Sequence, residues 1–353
     1  MVKKDSLARY VSQVKGKTIL VTGGTGSFGT AVTEALLKLS PKKVVIFSRD
    51  EKKQFDMDNH FDDPRLSFVI GDVRDRETVD HAMEGVDYVF HAAALKQVVT
   101  GEFFPMELVK TNIMGSYNVI HSAIDHGVKR VVVLSTDKAS VPACVMGMTK
   151  ALMERGMIAA ASRGGGKTIV CATRFGNLLY SRGSVVPYFI DLIKQGKQIT
   201  VTDPRMTRFF MTITEAFDLI LFALTNGRPG EIYVRKAPAM VIGDLASAMV
   251  EIFSYTKPIK QIGARPGEKI DEFLISGEER LRAIDYGEYY SISPETLKLD
   301  YPSSYFEIRD TKKAEISDTG YGSMDTKQLS KGEVKKLLLS LPELRAELAV
   351  YKR

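Results

Sequence analysis

The sequence predicts an α/β protein, a doubly wound, Rossmann-type parallel sheet with a smaller, interleaved C-terminal substrate domain. Three observations carry this. Short apolar bursts recur through the first half, amphipathic stretches of helical period separate them, and a glycine-rich turn follows the first burst directly.

The bursts are TILVT (18–22), VVIFS (44–48), SFVIGD (67–72), YVFHAA (88–93) and RVVVLST (130–136). Each is rich in β-branched residues and continuously apolar, the pattern of a strand buried on both faces. Between them, TAVTEALLKL (30–39), RETVDHAMEG (76–85), a long stretch near 106–126 and MTKALMERGMIAAAS (148–162) carry apolar residues at helical spacing. From Ser184 the pattern loosens into short helices and loops. The helix TEAFDLILFALTNG (214–227) and the strand EIYVRK (231–236) then return to the sheet. We therefore expect a sheet domain over 1–183, rejoined by 208–236, and a substrate domain made mainly of 184–353. The tail QLSKGEVKKLLLSLPELRAEL (328–348) reads as one amphipathic helix that closes the small domain or meets a neighbouring subunit.

Composition narrows the function classes. The chain has 353 residues, enough for about two globular units. No apolar run reaches the roughly 18 residues of a membrane helix, and MVKKDSLARYVSQVKGK lacks the apolar core of an export signal. A cytoplasmic protein is expected. Lys and Arg number 49 against 43 Asp and Glu, and the resulting +6 is spread along the chain instead of forming one basic stripe. That pattern argues against a nucleic-acid partner and suits small phosphorylated ligands. Two cysteines, Cys144 and Cys171, are too few for a disulfide framework, and His60, His81, His121 and His126 have no metal-like spacing with each other or with cysteine. No metal is expected.

The first functional signal is Thr22-Gly23-Gly24-Thr25-Gly26-Ser27-Phe28-Gly29, between a strand and a helix. Glycines there permit a tight turn, close backbone approach to a pyrophosphate and tight helix-on-strand packing, with the phosphates on free N–H groups at the helix start. The context favours dinucleotide binding over an ordinary flexible turn. At the end of the second strand, an acidic residue would hold the adenine-ribose hydroxyls of NAD and an arginine the 2′-phosphate of NADP. Arg49 comes first and Asp50 follows, so NADP is preferred to NAD. Asp72, ending the third strand, is placed to contact the adenine or to form a turn.

The TGGTGSFG form resembles the extended short-chain dehydrogenase/reductase superfamily. Further segments narrow the likeness: HAAALKQV (91–98), KTNIMGSYNVI (110–120), LSTDKA (134–139), MGMTK (146–150), RFGNLLYSRGSVVP (174–187), TRFFMT (207–212) and RPGEK (265–269). In that order, from about residue 17 to 345, they are similar to the nucleotide-sugar 4,6-dehydratases of bacterial capsule and surface-polysaccharide synthesis. The nearest likeness is to the UDP-N-acetylglucosamine enzymes that invert configuration at C5.

The resemblance implies a chemistry. NADP oxidises the sugar C4 hydroxyl, water leaves across C5 and C6, the hydride returns to C6, and C5 is reprotonated from the opposite face. The product is a 4-keto-6-deoxy sugar nucleotide of L-arabino configuration. Such a cycle needs a base at the C4 hydroxyl, a base at C5–H and an acid at the C6 oxygen. By resemblance Asp137 is the acid and Lys138 the C5 base, with Thr136 beside them. Lys138 must then spend part of its time neutral, and Lys150 and the nicotinamide cation are expected to push it that way. Gly23, Thr25, Gly26, Ser27, Phe28, Gly29, Arg49, Asp72, Ala92, Ala93 and Lys150 are carried over as cofactor contacts. Lys96, Asn177, Arg182, Ser184, Arg208, Arg265 and Glu268 are carried over as substrate contacts, the arginines suiting a diphosphate by their paired donors. His91 reads as a buried strand-end residue. The family commonly assembles as hexamers or dimers, so a homo-oligomer is implied.

Several positions depart from the superfamily pattern. Tyrosine usually stands four residues before the helix lysine, on the same helix face, and accepts the alcohol proton. Here that position is Met146, four before Lys150, and a thioether cannot act as the base. Some inverting UDP-N-acetylglucosamine enzymes carry methionine here, so the resemblance implies that Lys138 or Asp137, through water or Thr136, replaces the tyrosine. Cys144 stands where relatives often have asparagine, Tyr180 where they have a small residue, and Val99 where proline is common. Two alternatives stay open. A UDP-hexose 4-epimerase shares the first oxidation, and a non-catalytic NADP-binding sensor or scaffold would also account for Met146.

Overall fold

The computed structural model describes residues 4–163, 166–294 and 314–351. Six strands run through the first half: β1 (Thr18–Thr22), β2 (Lys43–Ser48), β3 (Leu66–Ile70), β4 (Tyr88–His91), β5 (Arg130–Leu134) and β6 (Ile169–Arg174). They pair in parallel in the order β3-β2-β1-β4-β5-β6. Ile232–Arg235 adds a parallel strand beside β6, and Tyr289–Ile292 and Ala283–Asp285 extend that edge antiparallel, giving nine strands. This is the mixed α/β, Rossmann-like sheet the sequence predicts.

Alternation along the strands splits the core in two. Leu20, Val131 and Val133 face one apolar cluster with Val119, Met153 and Met157. Ile19, Val21, Val132 and Leu134 face the other with Leu36, Phe217 and Leu221. Helices Gly115–Asp125 and Val145–Arg163 therefore cover one face, and Ser27–Leu37 and Ile213–Asn226 the other. Strand β3 departs from the expectation of two buried faces. It is the sheet edge, only partly buried, with Ile70 exposed. An apolar run alone does not say whether a strand has a neighbour on each side.

A third core lies beyond the sheet. Helices Val185–Lys194 and Ile242–Phe253 pack Phe189, Ile190, Leu245 and Met249 against Val334, Leu338 and Leu344 of the C-terminal segment. That segment is two helices, Lys331–Ser340 and Pro342–Tyr351, where the sequence suggested one. Pro342 explains the break, because its ring cannot continue a preceding helix. Two short links tie this region to the sheet's carboxyl edge: Asn177–Leu178 pairs with Phe210–Met211, and Phe273–Ser276 pairs with Gly320–Gly322.

Candidate active site

The turn after β1 is built from backbone. Gly23 has φ +68°, and a Cβ there would lie 2.9 Å from the Ala93 Cα. A Cβ on Gly29 would lie 2.5 Å from the Gly24 Cα, so the helix can start this close to the strand only without side chains. The first intrahelical bond is from Thr30 N–H to the Gly26 carbonyl, which leaves the N–H groups of Ser27, Phe28 and Gly29 free of helical acceptors. Phe28 itself packs against Phe175. Ala93 N–H donates to Thr22 Oγ1 at 3.2 Å, laying the loop after β4 along this turn. Together they wall a cleft of about 1130 Å³ that also takes in Thr25, Arg49, Asp72 and Thr111. The Thr111 hydroxyl is buried there without a partner among the described residues. Bare glycines, free N–H groups and an orphan hydroxyl fit a dinucleotide pyrophosphate.

The far end of the cleft is charged. Arg49 is exposed, 3.4 Å from Asp72. Asp72 also accepts from Arg74, and although burial works against it, these arginines hold its carboxyl below the usual range. Asp50 is committed to structure: it caps helix Glu51–Phe61 by accepting from Lys53 N–H at 3.0 Å and pairs with the Lys53 ammonium.

A second group of charges sits at the carboxyl edge of β5. Thr136 Oγ1 donates to Asp137 Oδ1 at 2.8 Å, and Lys138 Nζ lies 3.1 Å from the same oxygen. Asp137 is fully buried, and its Oδ2 has no hydrogen-bond partner among the described residues. Lys138 also faces Glu272 at 3.4 Å, and Glu272 pairs with Lys269 at 2.8 Å. Burial alone would lower the Lys138 pKa, but Asp137 and Glu272 outweigh it and raise the value above that of an ordinary lysine. Asp137 and Glu272 thus act on Lys138 in the direction opposite to that expected of Lys150 and the nicotinamide cation. The sequence offers no sign that a carboxylate 134 residues downstream closes on this amine.

Helix Val145–Arg163 presses on the same turn. A Cβ at Gly147 would lie 2.3 Å from the Lys138 carbonyl oxygen, so Gly147 of MGMTK is required by contact. Lys150, one turn on, donates to the Leu134 carbonyl at 2.9 Å, and burial lowers its pKa to about 8. Met146 is buried with Leu108 and Cys144 and brings no oxygen or nitrogen to the site. Asn112, which no strand-end or helix-end signal marks in the sequence, lies in a π-helical turn at Val109–Met114. Its amide grips both the N–H and the carbonyl of Leu95 and donates to Thr149, fixing the loop that carries Lys96. His91 is wholly buried between Thr22 and Ser116, and burial holds it down to about 3.

The residues carried over as substrate contacts fall in different places. Asn177 Oδ1 and Ser184 Oγ are buried without partners among the described residues, Ser184 at the start of helix Val185–Lys194. Lys96 donates to the Arg182 carbonyl at 2.8 Å. Arg182 itself lines the first cleft with Arg49, Asp50 and Lys53. Tyr180, at φ +60°, lines that cleft too. Arg208 differs from expectation. It is buried and donates to the carbonyls of Thr207, Lys269 and Ile270, so it anchors the loop instead of offering a free fork. In that loop Glu268 accepts from Arg265 N–H at 3.3 Å, Arg265 is exposed, and Gly267 rests on Cys144. Lys269 donates to the Val141 carbonyl at 2.7 Å. The loop therefore covers the Thr136–Cys144 segment.

The chain thus sets a cradle that fits a dinucleotide at one end of a parallel, Rossmann-like sheet and a buried acid–amine group at the rim of β5. Residues 19–294 match the family described as polysaccharide biosynthesis protein, and the chain belongs to that family. It is 50% identical over 337 residues to a UDP-glucose 4-epimerase of Rickettsia akari, covering 94% of this chain and 98% of the relative. The structure of Pen from Bacillus thuringiensis superposes with a TM-score of 0.83 at 38% identity, covering 92% of this chain and 97% of that one. DesIV from Streptomyces venezuelae, a dTDP-glucose 4,6-dehydratase solved with NAD bound, shares the fold at 24% identity and a TM-score of 0.66, covering 72% of this chain and 86% of its own. Among the described residues no helix is long and apolar enough to cross a membrane.

Proposed function

We propose that this protein is an NADP-dependent, configuration-inverting 4,6-dehydratase acting on UDP-N-acetylglucosamine for capsule or surface-polysaccharide synthesis. The observation that carries the reading is the buried Asp137 carboxyl, one oxygen held by Thr136 and Lys138 and the other unpartnered. An acidic group for a departing C6 oxygen is what dehydration requires and epimerisation does not. Arg49 favours NADP over NAD, with Asp50 occupied as a helix cap.

Gly23, Gly29, Ser27 and Thr111 would hold the pyrophosphate region, Arg49 the 2′-phosphate, and Lys150 the nicotinamide ribose. A nicotinamide held there would supply a reversible hydride acceptor for the oxidation and reduction of the sugar. Lys138, as the free amine, takes the C5 proton that the C4 ketone has made acidic. Asp137, an anion beside Lys138 at the outset, receives the C4 hydroxyl proton and gives it to the C6 oxygen, which leaves as water. Thr136 holds the carboxyl in register for that transfer, and the C4 hydroxyl proton reaches it through Thr136 or water. Asn177 and Ser184 offer orphan polar atoms to the uridine diphosphate, and Lys96 lies on the sugar side. The sheet domain, 1–183 with 208–236, carries the cofactor, and the remainder carries the nucleotide sugar.

A second reading is a UDP-hexose 4-epimerase, favoured by the name of the half-identical rickettsial relatives. Mass spectrometry after incubation with NADP and UDP-N-acetylglucosamine separates them. Loss of one water supports the dehydratase. An isomer of unchanged mass supports the epimerase, and cofactor binding without turnover of any UDP-sugar supports a non-catalytic sensor.

A further inference from the structure

We infer that Glu272 is a positioning residue, a counter-ion shared between Lys138 and the loop residue Lys269, through which the seating of the 265–270 loop governs the charge on Lys138. The inference rests on Lys138 acting as the C5 base. It goes beyond that reading by joining the base to a loop that begins only at Arg265.

Glu272 is almost fully buried, 3.4 Å from Lys138 and 2.8 Å from Lys269. Its backbone N–H is pinned by Ser323 Oγ at 2.9 Å, so the carboxylate is held in place between the two amines. The groups facing Lys138 are Asp137 on its own turn, Glu272, and the Arg208 guanidinium on Thr207–Met211. Arg208 cannot swing away, because its donors are spent on the Thr207, Lys269 and Ile270 carbonyls. Two anions thus hold one ammonium, and Lys269 competes for the second anion. While Lys269 is seated on the Val141 carbonyl, it draws charge from Glu272 and eases deprotonation of Lys138. Without Lys269 in place, Glu272 is left to Lys138 alone and keeps it an ammonium, unable to take a proton from C5. Seating of the loop over Thr136–Cys144 therefore weakens, without abolishing, the hold of Glu272 on the Lys138 ammonium.

Two substitutions must act in opposite directions. Glu272→Gln removes the shared anion, so the rising limb of the pH–rate profile moves to lower pH by about one unit. Lys269→Met leaves Glu272 to Lys138, so the limb moves to higher pH by a similar amount. Glu272→Asp restores the wild-type midpoint at least in part. A merely structural role would lower the rate in all three without moving the limb. The Lys138 side-chain Cε NMR shift, assigned with Lys138→Arg, gives the same titration without substrate. Opposed shifts in that signal uphold the inference even if no UDP-sugar is turned over, an outcome that would instead sink the dehydratase reading. A Lys138 midpoint unchanged in Glu272→Gln, or moved the same way in both variants, overturns it.

Discussion

The cofactor cradle and the acid–amine floor of the site make opposite use of the chain. The cradle is continuous and made of backbone: eight residues, Thr22 to Gly29, fix its turn, and its glycines act by lacking a Cβ. The floor is made of charged side chains from three separate segments, with Asp137 and Lys138 beside β5, Arg208 on a short strand, and Lys269 and Glu272 in one loop. A backbone cradle tolerates no added atom but needs no partner. A cluster of buried charges is held only by its mutual pairing, so each member's chemistry depends on the others.

The largest effect expected from this contrast is at Asp137. Asp137→Asn keeps the shape but removes the proton, and turnover should fall about a thousandfold while NADP binding stays within twofold. Equal loss of cofactor affinity would mean that the two ends are not separable. Lys150 comes next. Burial holds it at about 8, against an ordinary value of 10.5, so between those values the unfolded chain binds this proton more tightly than the folded one. Stability from this group is thus lowest below pH 8 and rises as pH climbs toward 10.5, by ~3 kcal/mol at most. Chemical denaturation of wild type against Lys150→Met should show the wild type gaining relative stability across that window. A gap independent of pH would show that Lys150 is not held near 8.

In the cradle, Gly29→Ala places a Cβ 2.5 Å from the Gly24 Cα. We expect NADP binding by titration to weaken about tenfold, or ~1.4 kcal/mol, with unchanged pH dependence of the residual activity. Unaltered affinity would remove close packing from the account of this turn. The smallest effect belongs to Met146→Leu, a volume-conserving swap among Leu108 and Cys144. Turnover should stay within threefold and stability within ~1.5 kcal/mol. A large loss of turnover would give the thioether a role in the chemistry.

The contrast also explains what was legible. The parallel sheet, its glycine turn and the helices on both faces follow from local pattern, because β-branched runs and helical spacing record burial residue by residue. Edge position is not so recorded, and β3 was misjudged for that reason. Asp137, Lys138 and Lys150 are contiguous with strand and helix signals, so resemblance could point to them. Glu272 and Asn112 had no such marker: one acts through a long-range ion pair and the other through the backbone of Leu95. Arg208 shows the reverse error, since an arginine in a family motif does not reveal whether its donors face a ligand or backbone carbonyls.

Product NMR after turnover of UDP-N-acetylglucosamine with NADP in deuterated water tests the central claim most directly. The account predicts a 4-keto-6-deoxy sugar nucleotide carrying deuterium at an inverted C5. A C4 epimer with its C6 hydroxyl intact and protium at C5 would contradict it.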